Sequence, residues 1–157
     1  MSRAFVKEPE GDAAEALPDR PISRFHNYVT TRGLQQIEAA VVEFQAALAV
    51  AAGHDDTLAT RKIARELNYW KARRASAELV HPPHDASTVR FGSKVTLDAG
   101  GRRLDFRIVG EDEADPRHGL LSYVAPLARE LIGKEVGDMV TTPGGEAEVI
   151  AIALGDD

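Results

Sequence analysis

The sequence predicts an α+β protein: an N-terminal antiparallel helical hairpin followed by an antiparallel sheet domain with one short helix. Three observations carry that prediction. Apolar residues between Thr30 and Gly53 recur at alternating spacings of three and four, the pattern of a helical seam. A second helical stretch follows after a polar break of only a few residues, so the two helices must run antiparallel. Beyond "HPPHDAST" the period changes to two, and glycine-containing turns separate the alternating runs.

The first helix has Thr30 or Thr31 as its candidate N-cap and Gly53 as its stop. Its seam runs through Leu34, Ile37, Val41, Phe44, Leu48 and Ala51. "GHDDTL" then breaks the pattern, and Asp56 or Thr57 can cap a second helix extending to about Leu79. Its seam passes through Thr60, Ile63, Leu67, Trp70, Arg74 and Ala77, with Ile63, Leu67 and Trp70 as the apolar centre. Two helices of about 22 residues make a hairpin roughly 33 Å long. Pro82 and Pro83 end the second helix. "VRFGSKVTL" and "RRLDFRIVG" alternate around the turn signal "DAGG", with Leu104, Phe106 and Ile108 on one face. "GLLSYV" reads as a third strand and "APLARELIG" as a short helix with Pro126 near its start. "DMVTT" and "EAEVIAIAL" close the sheet around "PGG". The predicted organisation is a flexible arm over 1–28, the hairpin over 29–80, a linker over 81–88 and the sheet domain over 89–157.

Composition narrows the function. The chain has 157 residues, 43% of them apolar, and no cysteine, so a buried core is expected and thiolate chemistry is excluded. No apolar run reaches the roughly 18–20 residues of a membrane span, and the N-terminus has no apolar signal core. A cytoplasmic protein without membrane contact is the expectation. Net charge is about -1 over residues 1–29, +1 over 30–80 and -6 over 81–157, which argues for differently charged modules and against a globally basic nucleic-acid binder.

"FRIVGEDEADPRHGLLSYVAPLARELIGKEVGDMV" resembles the C-terminal domain of the Gre-type bacterial transcription elongation factors, the GreA/GreB family. The matching elements are Ile108-Val109-Gly110, the acidic turn Asp112-Glu113-Ala114-Asp115, and Ser122. They continue with Pro126-Leu127-Ala128-Arg129, Leu131-Ile132-Gly133-Lys134 and Val136-Gly137-Asp138. "FGSKVTL", "TPGGEAEVIAIAL" and the "NYVTTRGLQQIEAAV" entry to the coil are also similar to the family. The resemblance implies a coiled-coil hairpin joined to an FKBP-like domain. That domain docks at the rim of the RNA polymerase secondary channel, and the coil threads down it. It also implies a docking surface around Gly110, Glu111, Asp112, Glu113, Ala114 and Asp115, and on Pro126, Leu127, Arg129 and Lys134. In the family, two acidic residues at the coil tip help hold a second Mg2+ at the polymerase active centre, which triggers cleavage of backtracked RNA. The protein would then have no cofactor or metal of its own. It would meet nucleic acid only inside the transcription complex and would at most stimulate the polymerase's own cleavage.

The departures are at the tip. The family's cleavage-competent tip resembles G-D-L-x-E-N-A-E-Y, whereas this chain reads "GHDDTLATRKI", and its hairpin is shorter. Loss of several turns withdraws the tip by more than roughly 10 Å, and two-metal chemistry needs ions about 3.5–4 Å apart. Ala125 stands where the family has a serine before the proline, removing a helix cap. Asp55 and Asp56 are candidate tip acids, because hard cations prefer carboxylate oxygens, but the leading reading is that Asp56 or Thr57 caps the second helix in a solvated tip. Arg61, Lys62, Arg65, Lys71, Arg73 and Arg74 give the second helix a basic flank that fits RNA or an acidic channel wall, or a solvated face. Trp70 reads as a seam residue rather than a base-stacking platform. His81, His84 and Asp85 have a zinc-like spacing but supply only three ligands, and His54 reads as a solvated loop histidine. The expected function is a polymerase-binding elongation regulator without strong transcript cleavage. The alternatives are an active cleavage factor working through Asp55 and Asp56, and a coiled-coil adaptor with no polymerase contact.

Overall fold

The computed structural model describes residues 17–156; the first sixteen residues of the predicted arm and Asp157 lie outside them. The chain enters through a two-residue strand, β1 (Tyr28–Val29), and turns directly into helix α1 (Thr31–Ala52). Thr30 is the N-cap, its hydroxyl accepting from the Gly33 amide at 3.0 Å. Helix α2 (Thr57–Ser76) returns antiparallel. Ile37, Val41 and Leu67 are buried between the helices, and Leu34, Phe44, Ile63 and Trp70 are half-buried around them. Twenty-two residues make α1 about 33 Å long.

Four details of the hairpin differ from the sequence reading. Gly53 ends α1 with φ -82°, a right-handed conformation open to any residue, so the glycine is not there for a left-handed cap. Arg74 is exposed although the seam pattern placed it inward, and Arg73 is buried instead. Helix α2 stops at Ser76, after which β2 (Glu78–Leu79) pairs parallel with β1. The predicted flexible arm touches the hairpin at Pro18, Arg20 and Asn27, although most of residues 17–26 are exposed. The Pro18 carbonyl accepts from Arg65 Nε at 2.6 Å, Arg20 pairs with Glu66 at 2.8 Å, and Asn27 is buried.

The second module is a five-stranded sheet ordered β5-β4-β3-β7-β6. Strands β3 (Lys94–Ala99) and β4 (Arg102–Val109) form a hairpin through Gly100 and Gly101. Both glycines have positive φ, 65° and 89°, as a tight twisted turn requires. Strand β5 (Leu120–Ser122) lies parallel to β4, so the sheet is not wholly antiparallel. Helix α3 (Pro126–Leu131) precedes β6 (Met139–Thr142) and β7 (Gly145–Ala153), which are antiparallel to each other, with β7 also antiparallel to β3. Val89, Val95, Leu97, Ile108, Ala128, Leu131, Val140, Ala147 and Val149 form the core beneath α3. Full burial of such side chains stabilises by about 1.5–3 kcal/mol each. Residues 89–93, predicted as the start of a strand, are not in one; β3 begins at Lys94.

Candidate functional site

Many of the candidate residues gather in two regions, the hairpin tip and the place where the hairpin meets the sheet. At the tip, Asp56 is the N-cap of α2, its Oδ1 accepting from the Ala59 amide at 2.9 Å. The Thr60 hydroxyl donates to the Asp56 carbonyl at 2.9 Å. Asp55 and His54 are exposed. The structure therefore commits one of the two candidate acids to holding the helix terminus, where a carboxylate also meets the positive end of the helix dipole. Val50 and Leu58 flank the tip with exposed apolar surface.

The base of the hairpin is more elaborate. The turn after β4, Gly110 to Ala114, lies against the N-terminus of α1 and the C-terminal part of α2. Tyr69 and Arg73 are four residues apart and share one face of α2. The Tyr69 hydroxyl donates to Asp112 Oδ1 at 2.5 Å, and Arg73 Nε donates to Asp112 Oδ2 at 2.5 Å. Arg73 also donates through Nη2 to Asn27 Oδ1 at 2.7 Å and lies 3.6 Å from Glu111. Its side chain is only 1% exposed. Burial, followed by the hydrogen bond to Asp112, pushes the Tyr69 phenol up to about 12. Opposite, Glu113 is 5% exposed and its Oε2 accepts from the Thr30 hydroxyl at 2.5 Å. Because the first turn of α1 has no acidic residue of its own, Glu113 supplies the carboxylate that the helix N-terminus favours. Gly110 is buried and touches β1, where a Cβ would overlap the Tyr28 carbonyl oxygen.

Further contacts surround the joint. Tyr28, Phe91 and Tyr123 form an aromatic triangle with centroid separations of 5.4, 5.8 and 6.1 Å, and the Tyr123 hydroxyl donates to the His26 carbonyl at 2.5 Å. On the outer side Arg20 lies 3.6 Å from the Tyr69 ring centroid and 5.5 Å from that of Trp70, a cation–π clamp from the arm.

These contacts change the roles read from the sequence. Gly110, Asp112 and Glu113 are engaged with the hairpin, and Glu111 is half-buried beside Arg73. Ala114 and Asp115 are half-buried at the rim of the turn; Asp115 accepts from the Arg117 amide and pairs with His118 at 2.6 Å, which holds its carboxyl below the usual range. Arg73 is withdrawn from the basic flank, and Arg65 is engaged by Pro18 and Glu66. Arg61, Lys62, Lys71 and Arg74 stay exposed. On α3 and after it, Pro126 and Arg129 are exposed and Leu127 and Lys134 half-buried, and Ala125 makes no side-chain cap. Ile132, Val136 and Met139 add exposed apolar surface beside them. Among the described residues no group of three or more His, Cys, Asp or Glu side chains is placed to hold a metal ion. Asp85 instead accepts from the Ser87 amide at 3.0 Å. None of the described helices is long and apolar enough to cross a membrane.

A family model described as "Transcription elongation factor, GreA/GreB, C-term" matches residues 83–153. A transcription elongation factor GreA of Alkalilimnicola ehrlichii is 45% identical over 80 residues, 47% of this chain and 51% of that protein. Over that match the chain spans about half of the relative's length. The GreA of Legionella pneumophila strain Corby is 40% identical over 125 residues, 68% of this chain and 78% of the relative. Among solved structures, the GreA factor homolog 1 of Thermus thermophilus has a TM-score of 0.39 at 20% identity, covering 82% of this chain and 99% of that one. A GreA/GreB factor of Nitrosomonas europaea has 0.39 at 17%, covering 80% and 98%. Superpositions that loose carry no weight beside the sequence likeness. At 40% identity across 78% of that relative, the chain belongs to the GreA/GreB family of transcription elongation factors.

Proposed function

We propose that the protein is an elongation regulator that docks on RNA polymerase through its sheet domain, occupies the secondary channel with its hairpin, and does not strongly stimulate transcript cleavage. Family membership supports the partner. The exposed Pro126 and Arg129, with the apolar Ile132, Val136 and Met139 beside them, support docking by the α3 side of the sheet domain. Arg61, Lys62, Lys71 and Arg74 form the basic surface left for RNA phosphates or an acidic channel wall. Nucleic acid is then met only within the transcription complex, in the cytoplasm, and the protein is not itself an enzyme.

The observation that carries the non-cleaving reading is the engagement of Asp56. With its Oδ1 accepting from Ala59, Asp55 is the one tip acid free of that duty. A lone carboxylate does not fit the pair of acids with which the family's tip shares Mg2+ with the polymerase. Binding to core polymerase, followed by sedimentation of the full chain with and without Arg129→Glu, tests the partner. Co-sedimentation that falls about tenfold in the variant is expected, since a reversed charge at a protein interface costs at least about 1.4 kcal/mol. If the unaltered chain fails to co-sediment at all, the coiled-coil adaptor reading replaces this one.

A further inference from the structure

We infer that Glu111, Asp112 and Glu113 are positioning residues: they fix the direction in which the hairpin leaves the sheet domain. The argument starts from what the turn touches. Asp112 holds the C-terminal part of α2 through Tyr69 and Arg73, while Glu113 holds the N-terminus of α1 through Thr30. One short turn therefore grips both ends of the hairpin base at once. Two separated anchor points fix an orientation, whereas one would leave a pivot.

The chemistry of the anchors points the same way. A hydrophobic contact of equal area would hold the modules together with less geometric restriction, because the hydrophobic effect is non-directional. The guanidinium of Arg73 is planar and reads its partners' positions: Nε goes to Asp112 and Nη2 to Asn27, on the approach to β1. Nor is the joint optimised for stability. Glu113 Oε1 is buried without a hydrogen-bond partner among the described residues, and such an atom costs free energy. Buried ion pairs are weak contributors to stability compared with apolar packing of similar volume. A network that is poor as glue and rich in direction is suited to aiming a rod.

The tip sits at the far end of a helix about 33 Å long, so an angular error at the joint becomes a displacement at the tip. A swing of about 10° moves the tip by about 6 Å on that lever. For the proposed polymerase complex, and resting on that reading, docking by the α3 side and entry of the hairpin into the channel are compatible only at one joint angle.

The chain has no cysteine, so Ala52→Cys with Glu146→Cys places one spin label at the hairpin tip and one on the sheet domain, both at exposed positions. Pulsed electron resonance on the unaltered joint is expected to give a single narrow distance distribution. Asp112→Ala leaves Arg73 buried without its carboxylate and stands to lose folded protein. The joint is therefore also tested by Arg73→Met/Asp112→Leu, which removes both charges, and by Glu113→Gln. With helix content by circular dichroism unchanged, the double variant is expected to broaden the distribution roughly twofold or more as orientations other than the native one become populated. Glu113→Gln is expected to broaden it less. A distribution in the double variant as narrow as in the parent, or one already broad in the parent, overturns the inference.

A second arm separates this idea from the polymerase proposal. The double variant is expected to sediment with core polymerase as the parent does through the sheet domain, yet to lose about tenfold or more in competing with a cleavage-active Gre factor for the channel, because only the fraction of molecules with the hairpin in the native direction can enter it, about a tenth for that loss. If the parent does not bind polymerase, the functional proposal fails while the distance measurement still decides the joint. Full competition by a variant with a broadened distribution contradicts the positioning role.

Discussion

Arg73 has a neighbour, Arg74, of the same charge, yet one is buried and the other exposed. The difference is made by Asp112, Asn27 and Glu111, which meet the guanidinium in the joint. Removing the partner of a buried charge is far more damaging than the net worth of the pair. Asp112→Ala is therefore expected to lower unfolding stability by about 3–5 kcal/mol, read from the shift of a urea midpoint at constant slope. The isosteric double replacement by apolar residues should cost much less. Tyr69 offers a test on a different axis. Its pKa of about 12 exceeds the value of 10.0 of an unperturbed tyrosine, so the folded state retains the phenolic proton after the unfolded state has lost it. That contribution is fully present below pH 10 and disappears as pH rises towards 12. Stability measured across this window is expected to fall, and Tyr69→Phe to flatten the fall. An equal decline in the variant would place the effect elsewhere.

Each helix of the hairpin depends on one small cap. Asp56 serves α2 at the tip, and Thr30 serves α1 at the base with Glu113 behind it. Asp56→Ala is expected to cost about 1 kcal/mol and to fray the first turn of α2, seen as faster amide exchange near Ala59. Thr30→Ala should cost more than Asp56→Ala, because it also leaves Glu113 without its hydroxyl donor; equal losses would mean that Glu113 contributes nothing to the cap. Much of this element structure was legible in the sequence. The three-and-four spacing from Leu34 to Ala51 reported the seam, and "DAGG" and "PGG" reported the hairpin turns, since these signals are local. The joint was not legible, because an acidic turn between strands has the same composition whether it meets water or an arginine. Tyr69 and Arg73, polar and four residues apart beside the seam, were the available clue. The β1–β2 pair escaped for another reason: runs of two residues carry no measurable period. Strand β5 was legible in "GLLSYV", but its parallel pairing with β4 was not, because such a pairing leaves no turn signal. The arm from residue 17 was read as flexible because Pro18 and Pro21 look like linker residues. Its order comes from long-range contacts of Arg20 and Asn27 with α2.

Seen as a whole, the molecule joins a GreA/GreB sheet domain to a short hairpin whose direction is set by buried charges and whose tip is closed by a cap. On the proposed reading the polymerase is the partner, and the tip decides what the hairpin does there. Asp55 is the tip acid with an uncommitted side chain, and "GHDDTL" lacks the family's second acidic pair. The account therefore expects occupancy without catalysis. The measurement that tests it most directly is the length of the RNA 3′ end in a backtracked elongation complex, with Mg2+ and saturating full-length protein. The expected result is shortening no faster than in the complex alone, together with slower cleavage when a cleavage-active Gre factor is added. Rapid shortening that is abolished by Asp55→Ala would contradict the account and establish the hairpin tip as a working cleavage device.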